Sequence, residues 1–264
     1  MRIAVIGGGV MGEALIRGLL TRSPAPSVVV AEKVADRAAA LATNLGVTIA
    51  EPADAVANAD VIVLAVKPQD LPSLLDVVGG SIAPGTLLVS IAAGIPTSTI
   101  TARVPAGVNV VRAMPNTPAR IGLGLTGVSA APGCTDTALA AAVDLLRSVG
   151  TVVVVPEAQQ DALTATSGSG PAYLFLLAEA MLEGAIGQGI DPTTADTMVR
   201  QTLLGAASLL SGSTDDPATL RRQVTSPNGT TAAALAVMDD RAVRAGVVAG
   251  MQAAADRSRE LAGS

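Results

Sequence analysis

Residues 3–15 read Ile3-Ala4-Val5-Ile6-Gly7-Gly8-Gly9-Val10-Met11-Gly12-Glu13-Ala14-Leu15. Four apolar residues suited to a short strand run into glycines and then into a stretch of helical spacing. Gly7, Gly9 and Gly12 fall in the order G-x-G-x-x-G between the two. Each glycine answers a separate need, Gly7 the tight turn, Gly9 the close approach of a pyrophosphate to the backbone, and Gly12 close helix packing. Val10 and Met11 open the helix, whose positive dipole end faces the phosphates.

Such a motif pairs with an acidic residue about 20 positions on, where a carboxylate accepts hydrogen bonds from a ribose 2'-OH. Glu32 occupies that place, at the end of the next predicted strand. It favours NAD, whereas Lys33 and Arg37 beside it suit the 2'-phosphate of NADP. On physical grounds both coenzymes stay open.

Outward from this unit, β-branched runs alternate with Ala/Leu-rich stretches of helical period, the pattern of a largely parallel sheet covered by helices. Strands are predicted at Ile3–Ile6, Val28–Ala31, Val47–Ile49, Val61–Val66, Leu87–Ile91, Val108–Arg112, Val128–Ala130 and Val152–Val155. Helices are predicted at Gly12–Leu20, Ala35–Asn44, Gln69–Val78, Thr97–Arg103 and Asp136–Ser148. Beyond Pro156 the pattern becomes helical only, with Asp191-Pro192 and Asp216-Pro217 marking capped helix starts. The expected fold is therefore α/β: a Rossmann-type, mostly parallel sheet domain over residues 1–156, followed by an all-helical domain over 157–264. In the latter, Leu174, Leu177, Ala178, Met181, Leu182 and Ala185 form an apolar stripe that needs a partner surface.

Composition removes whole classes of chemistry. Among 264 residues there is no histidine or tryptophan and only one cysteine, Cys134. A Ser-His-Asp triad, a neutral-pH imidazole base, a disulfide and a cysteine-only zinc site are thus excluded, and no metal is expected. A formal charge of −5 with 1% aromatic residues gives nucleic acid neither a basic footprint nor stacking platforms. Half the residues are hydrophobic, yet no uncharged apolar run reaches the roughly 20 residues that span a membrane. With no signal-peptide pattern at Met1-Arg2, a cytoplasmic location is the expectation.

Three loops fall at carboxyl ends of predicted strands, where ligands bind in such sheets. They are Ala65-Val66-Lys67-Pro68-Gln69, Ala92-Ala93-Gly94-Ile95 and Arg112-Ala113-Met114-Pro115-Asn116-Thr117-Pro118, expected to line one crevice. Ala65, Val66, Lys67, Pro68, Ala93, Gly94 and Asn116 join the candidate cofactor contacts. Lys67 reads equally as a surface lysine, Asn116 as a turn cap, and Arg112 foremost as a structural ion-pair partner. Two further loops, Ser167-Gly168-Ser169-Gly170-Pro171-Ala172-Tyr173 and Ser226-Pro227-Asn228-Gly229-Thr230-Thr231, put backbone amides and hydroxyls at helix starts. A substrate carboxylate fits such a place.

A dinucleotide site beside an anion site suggests hydride transfer to a small acid. Reducing a ketone calls for a proton donor, yet no lysine follows Lys67, and Tyr173 sits on an otherwise apolar helix. A protonated imine already carries the positive charge that accepts hydride, so this inventory tolerates imine reduction best.

These stretches, from Ile6–Leu15 through the Lys67, Asn116, Ser167–Tyr173 and Ser226–Thr231 segments, together resemble the pyrroline-5-carboxylate reductase family over essentially the whole chain. The family usually has glycine where this chain has Asn228, which tolerates left-handed backbone well. The resemblance implies reduction of L-1-pyrroline-5-carboxylate to L-proline, with NADPH usually preferred. It further implies that amides of Gly229, Thr230 and Thr231 hold the substrate carboxylate, that Ser226 and Asn228 line the pocket, and that the Thr231 hydroxyl lies near the ring nitrogen. Helical halves of two subunits would interlock as a homodimer, with dimers often assembled into rings of five. The competing readings are a related imine or β-hydroxyacid reductase, and a non-catalytic dinucleotide-binding regulator.

Overall fold

A computed structural model describes residues 1–263. The chain divides into two compact units, Met1–Ser169 with the residues from Gln252 onward, and Gly170–Met251. The first is built on one sheet of eight strands. These are β1 (Arg2–Ile6), β2 (Ser27–Ala31), β3 (Thr48–Ile49), β4 (Val61–Leu64), β5 (Leu87–Ser90), β6 (Asn109–Pro115), β7 (Gly124–Ala130) and β8 (Gly150–Val154). Their order is β3-β2-β1-β4-β5-β6-β7-β8, parallel throughout except where β7 runs antiparallel to β6. The order reverses between β1 and β4, which makes the crevice above that pair the topological switch point.

The sheet is buried on both faces, and alternation along β1 shows how. Ile3 and Val5 join a core with Val28, Val30, Val61 and Val63, closed by α1 (Val10–Leu20), α2 (Ala35–Leu45) and α6 (Asp136–Leu146) through Leu15, Leu19, Leu41 and Leu145. Ala4 and Ile6 face the opposite core with Ile62, Leu64 and Leu88. It is closed by α3 (Pro52–Val56), α4 (Leu71–Val78) and α5 (Thr97–Thr101) through Val56, Leu71, Leu75 and Ile100. Two-sided burial is why these strands read as continuous apolar runs.

All eight predicted strands are present, with informative differences at their ends. β7 spans seven residues where only Val128–Ala130 read as strand, because Gly124 and Gly127 hide its first half. Their lack of side chains is a packing demand: a Cβ on Gly127 would collide with the Leu163 side chain, and one on Gly124 would lie 2.8 Å from Ala119 Cα. β6 runs on to Pro115 because β7 pairs with it as far as Pro115–Thr126. Val61–Val66 stops at Leu64, and the helix expected from Gln69 begins with a 3-10 turn, Pro68–Asp70, before Leu71. The five-residue α3 has no counterpart among the predicted helices, and its start is set by Pro52 at the first turn.

After β8 the first unit continues through α7 (Gln160–Leu163) and a π-helical turn, Thr164–Gly168. Gln160 is fully buried and donates to Ser129 Oγ at 2.8 Å. The second unit holds α8 (Gly170–Gly187), α9 (Pro192–Gly212), α10 (Pro217–Gln223), α11 (Thr230–Asp240) and the start of α12 (Val243–Gly263). α8 packs on α9. Asp191 and Asp216 cap α9 and α10 by accepting from the Thr194 and Thr219 amides. No helix among the described residues is long and apolar enough to cross a membrane.

Candidate functional site

The switch-point crevice is shaped by glycine contacts. Gly7 leaves β1 with φ of 103°, donates its amide to Ala31 O and lies so near β4 that an added Cβ would be 2.6 Å from Ala65 O. A Cβ on Gly12 would collide with the Gly7 carbonyl oxygen. Those two glycines are required by the protein's own packing.

Gly9 is different. Its φ is −67°, which any residue adopts, and a Cβ there would meet nothing within 4 Å. Neither turn nor neighbour demands glycine at position 9. It stands at the start of α1 with no side-chain cap, and the first intrahelical bond runs from Glu13 N to Gly9 O. Amides of Val10, Met11 and Gly12 are therefore left to an external acceptor. A dinucleotide pyrophosphate fits this cradle, since a bare backbone facing open space at a helix start suits an anion that must come close.

Glu32 is nearly buried, its side chain 4% exposed. Its Oε2 accepts from Gly8 N and its Oε1 from Val34 N, each at 2.8 Å, while Arg37 lies 3.3 Å away. Burial pushes its pKa up, but the Val34 and Gly8 amides and Arg37 together outweigh that and hold the group below its ordinary value. The carboxylate thus braces the glycine loop. Lys33 Nζ lies 3.2 Å from Asp70 Oδ2 across the exposed rim, so both basic candidates already face a carboxylate.

The exits of β4, β5 and β6 lie side by side, as the strand order requires. Ala65 and Val66 are half-buried, Lys67 is exposed ahead of Pro68, and Ala93 is exposed beside buried Gly94. β6 continues three residues past Arg112, the partner of Ser90 at the end of β5. Asn116 follows, its carboxamide fully used: Nδ2 donates to Ser167 O at 3.2 Å and Ser167 Oγ at 3.1 Å, and Oδ1 accepts from Leu125 N at 2.9 Å. Its side chain ties the β6 exit to the π-helical turn. Arg112 is buried and pairs with Glu157 at 3.5 Å, a structural ion pair rather than a substrate anchor.

In the second unit, Asn228 has φ of 57°, the left-handed conformation that suits asparagine or glycine. Gly229 starts α11 without a side-chain cap, and a Cβ on it would lie 2.5 Å from Ser226 Oγ. Its amide donates to Ser226 O at 3.1 Å. This changes the donor set: Gly229 N–H is already spent, and Thr230, Thr231 and Ala232 supply the unpaired amides ahead of the first intrahelical bond, Ala233 N to Gly229 O.

Sequence patterns carry no sign of Asp70 as the partner of Lys33 or of Glu157 as the partner of Arg112. Each lies far along the chain from its partner, and only the sheet brings them together. Among the described residues no group of three or more Cys, Asp or Glu side chains gathers as a metal ligand set.

Comparison with known proteins agrees along the chain. The family described as pyrroline-5-carboxylate reductase dimerisation matches residues 157–261, and the one described as NADP oxidoreductase coenzyme F420-dependent matches residues 2–94. The pyrroline-5-carboxylate reductase of Pseudomonas aeruginosa is 42% identical over 99% of this chain and 97% of its own. That of Mycobacterium tuberculosis is 40% identical over 98% and 96%. The solved pyrroline-5-carboxylate reductase of Coxiella burnetii superposes with a TM-score of 0.91 at 34% identity, covering 98% of this chain and 97% of its own. With such identity over nearly its whole length, the chain belongs to the pyrroline-5-carboxylate reductase family of oxidoreductases acting on a C=N bond.

Proposed function

We propose that the chain reduces L-1-pyrroline-5-carboxylate to L-proline in proline biosynthesis, with NADPH as the favoured hydride donor. The observation that carries the dinucleotide half is Gly9, a glycine that neither its conformation nor its neighbours require. When bound, the reduced nicotinamide supplies hydride to C5 of the imine. Val10, Met11 and Gly12 amides hold the pyrophosphate, and Ala65, Val66, Lys67, Pro68, Ala93 and Gly94 line its path. Lys33 and Arg37 lie beside Glu32, where a 2'-phosphate would pass, and the family description matching residues 2–94 names NADP.

Thr230 and Thr231 amides, at the positive end of α11, hold the substrate carboxylate. Ser226 and Asn228 shape that loop, and the Thr231 hydroxyl meets the ring nitrogen. The imine brings its own charge, so these groups orient it without supplying a strong acid, and orientation provides most of the acceleration. Residues 1–156 serve as the dinucleotide domain and 157–264 as the substrate-binding and dimerisation domain, with dimers assembling further into a decamer. A single free thiol, Cys134, fits a reducing cytoplasm.

The test is oxidation of NADPH and NADH, in parallel, by pyrroline-5-carboxylate. Turnover with higher kcat/KM for NADPH supports the proposal; coenzyme binding without oxidation overturns it. Thr231→Val should lower kcat by at least about tenfold with little change in thermal midpoint, and unchanged kinetics would remove Thr231 from the reaction.

A further inference from the structure

We infer that Glu157 is a positioning residue for hydride transfer, fixing the loop between β5 and α5 at the carboxyl edge of the sheet. This rests on the proposal that Ala93 and Gly94 of that loop approach the nicotinamide dinucleotide. The loop runs from Ile91 to Pro96 and is fastened at both ends. At the β5 end, Ile91 N donates to Leu64 O at 3.0 Å. At the other end, Thr97, 1% exposed, donates its amide to Glu157 Oε1 and its hydroxyl to Glu157 Oε2, each at 2.7 Å.

α5 has five residues, too short to be held by its own cooperativity. Its start therefore depends on an outside anchor. Glu157 in turn stands 3.5 Å from Arg112, which is 5% exposed and lies on the neighbouring strand β6. Glu157 Oε1 takes both the Thr97 amide and the guanidinium while Oε2 accepts from the Thr97 hydroxyl, so a side chain without acceptors here would free the start of α5 and leave a buried cation unpaired. Glutamine keeps this geometry, because its NH2 can donate to the Thr97 hydroxyl oxygen while its carbonyl takes the amide and the guanidinium, whereas alanine removes the anchor.

A fold-stabilising cluster could do all this without touching the reaction. Its location argues for more: the loop it pins exposes Ala93 beside the β4 exit, at the edge where the switch-point crevice opens. In a reaction accelerated mainly by orientation, a displacement of about 1 Å costs up to about 100-fold in rate. Holding this loop still is then part of the rate.

The experiment uses the full chain with Glu157→Ala, Thr97→Val and Thr97→Ser. Readouts are kcat, both KM values, the deuterium isotope effect on kcat with NADPH deuterated at the transferred position, and thermal midpoint. Glu157→Ala should lower kcat about 10- to 100-fold, raise the isotope effect, and leave the KM for pyrroline-5-carboxylate within about twofold. Thr97→Ser, which keeps the hydroxyl, should stay within about twofold of the parent, with Thr97→Val between the two. A lowered midpoint with unchanged kcat and isotope effect overturns the inference, and if Glu157→Ala does not fold, Thr97→Val carries the same decision. Ala93→Leu separates the two layers. If it leaves NADPH affinity unchanged, the loop is not at the coenzyme and the reading beneath the inference falls. If it blocks NADPH while Glu157→Ala turns over normally, only the positioning role falls.

Discussion

Glu32 shows how one carboxylate serves its own backbone before any ligand. The amides of Gly8 and Val34 and the Arg37 guanidinium stabilise its charged form, so its folded-state pKa lies below the ordinary 4.5. A depressed carboxylate pKa contributes stability that is present above the ordinary value and lost as pH falls through the folded one. Glu32→Gln should therefore destabilise at neutral pH, with the gap from the parent closing below about pH 4.5 as the parent also becomes protonated. Urea unfolding from about pH 7 to about pH 3 measures it, and a gap independent of pH would mean that charge is not what holds the glycine loop. Cys134 moves the other way, its thiol pushed up by burial and then by Asp136, which leaves it a poor nucleophile at neutral pH.

Glycines decide the packing of whole elements as well as single turns. Gly150 opens β8 with φ of 143°, and a Cβ there would collide with the Gly124 backbone of β7. Gly127, on the same strand as Gly124, faces the Leu163 side chain, from its Cγ to both Cδ atoms, and no backbone atom is among its three nearest neighbours. Gly127→Ala should thus cost about 1–3 kcal/mol by overpacking and be eased by Leu163→Ala, whereas Gly150→Ala should cost more and find no such rescue. Paired denaturation curves separate the two cases. These same residues mark where the sequence is hard to read. Strands with valines on both faces, such as Val28–Ala31, and the Asp-Pro starts of α9 and α10 carry local signals. The first half of β7 does not, because its glycines answer to Leu163 and Ala119, neighbours visible only after folding. The Gly7, Gly9 and Gly12 cradle is legible because strand, turn and helix lie within a dozen residues. Glu157 is hidden because its partners are 60 and 45 positions away.

On the scale of the molecule, much apolar surface stays uncovered in a single chain. Phe175 and Leu176 on α8 and Leu204 and Leu209 on α9 are each at least 60% exposed. Monomeric proteins rarely leave such area open, and the family match over residues 157–261 is to a dimerisation domain, so the chain oligomerises. Sedimentation should show a dimer or larger species at micromolar concentration, and Leu204→Glu with Leu209→Glu should shift it toward monomer; a parent that sediments as monomer would contradict this. The sheet itself is unequal at its two borders. On one side it ends in β3, two residues long, too short to template another strand. On the other it ends in β8, where Val152 and Val153 are half-buried and Val154 is 57% exposed. Aggregation by strand addition, during folding or after damage, therefore has one open door, and it is β8.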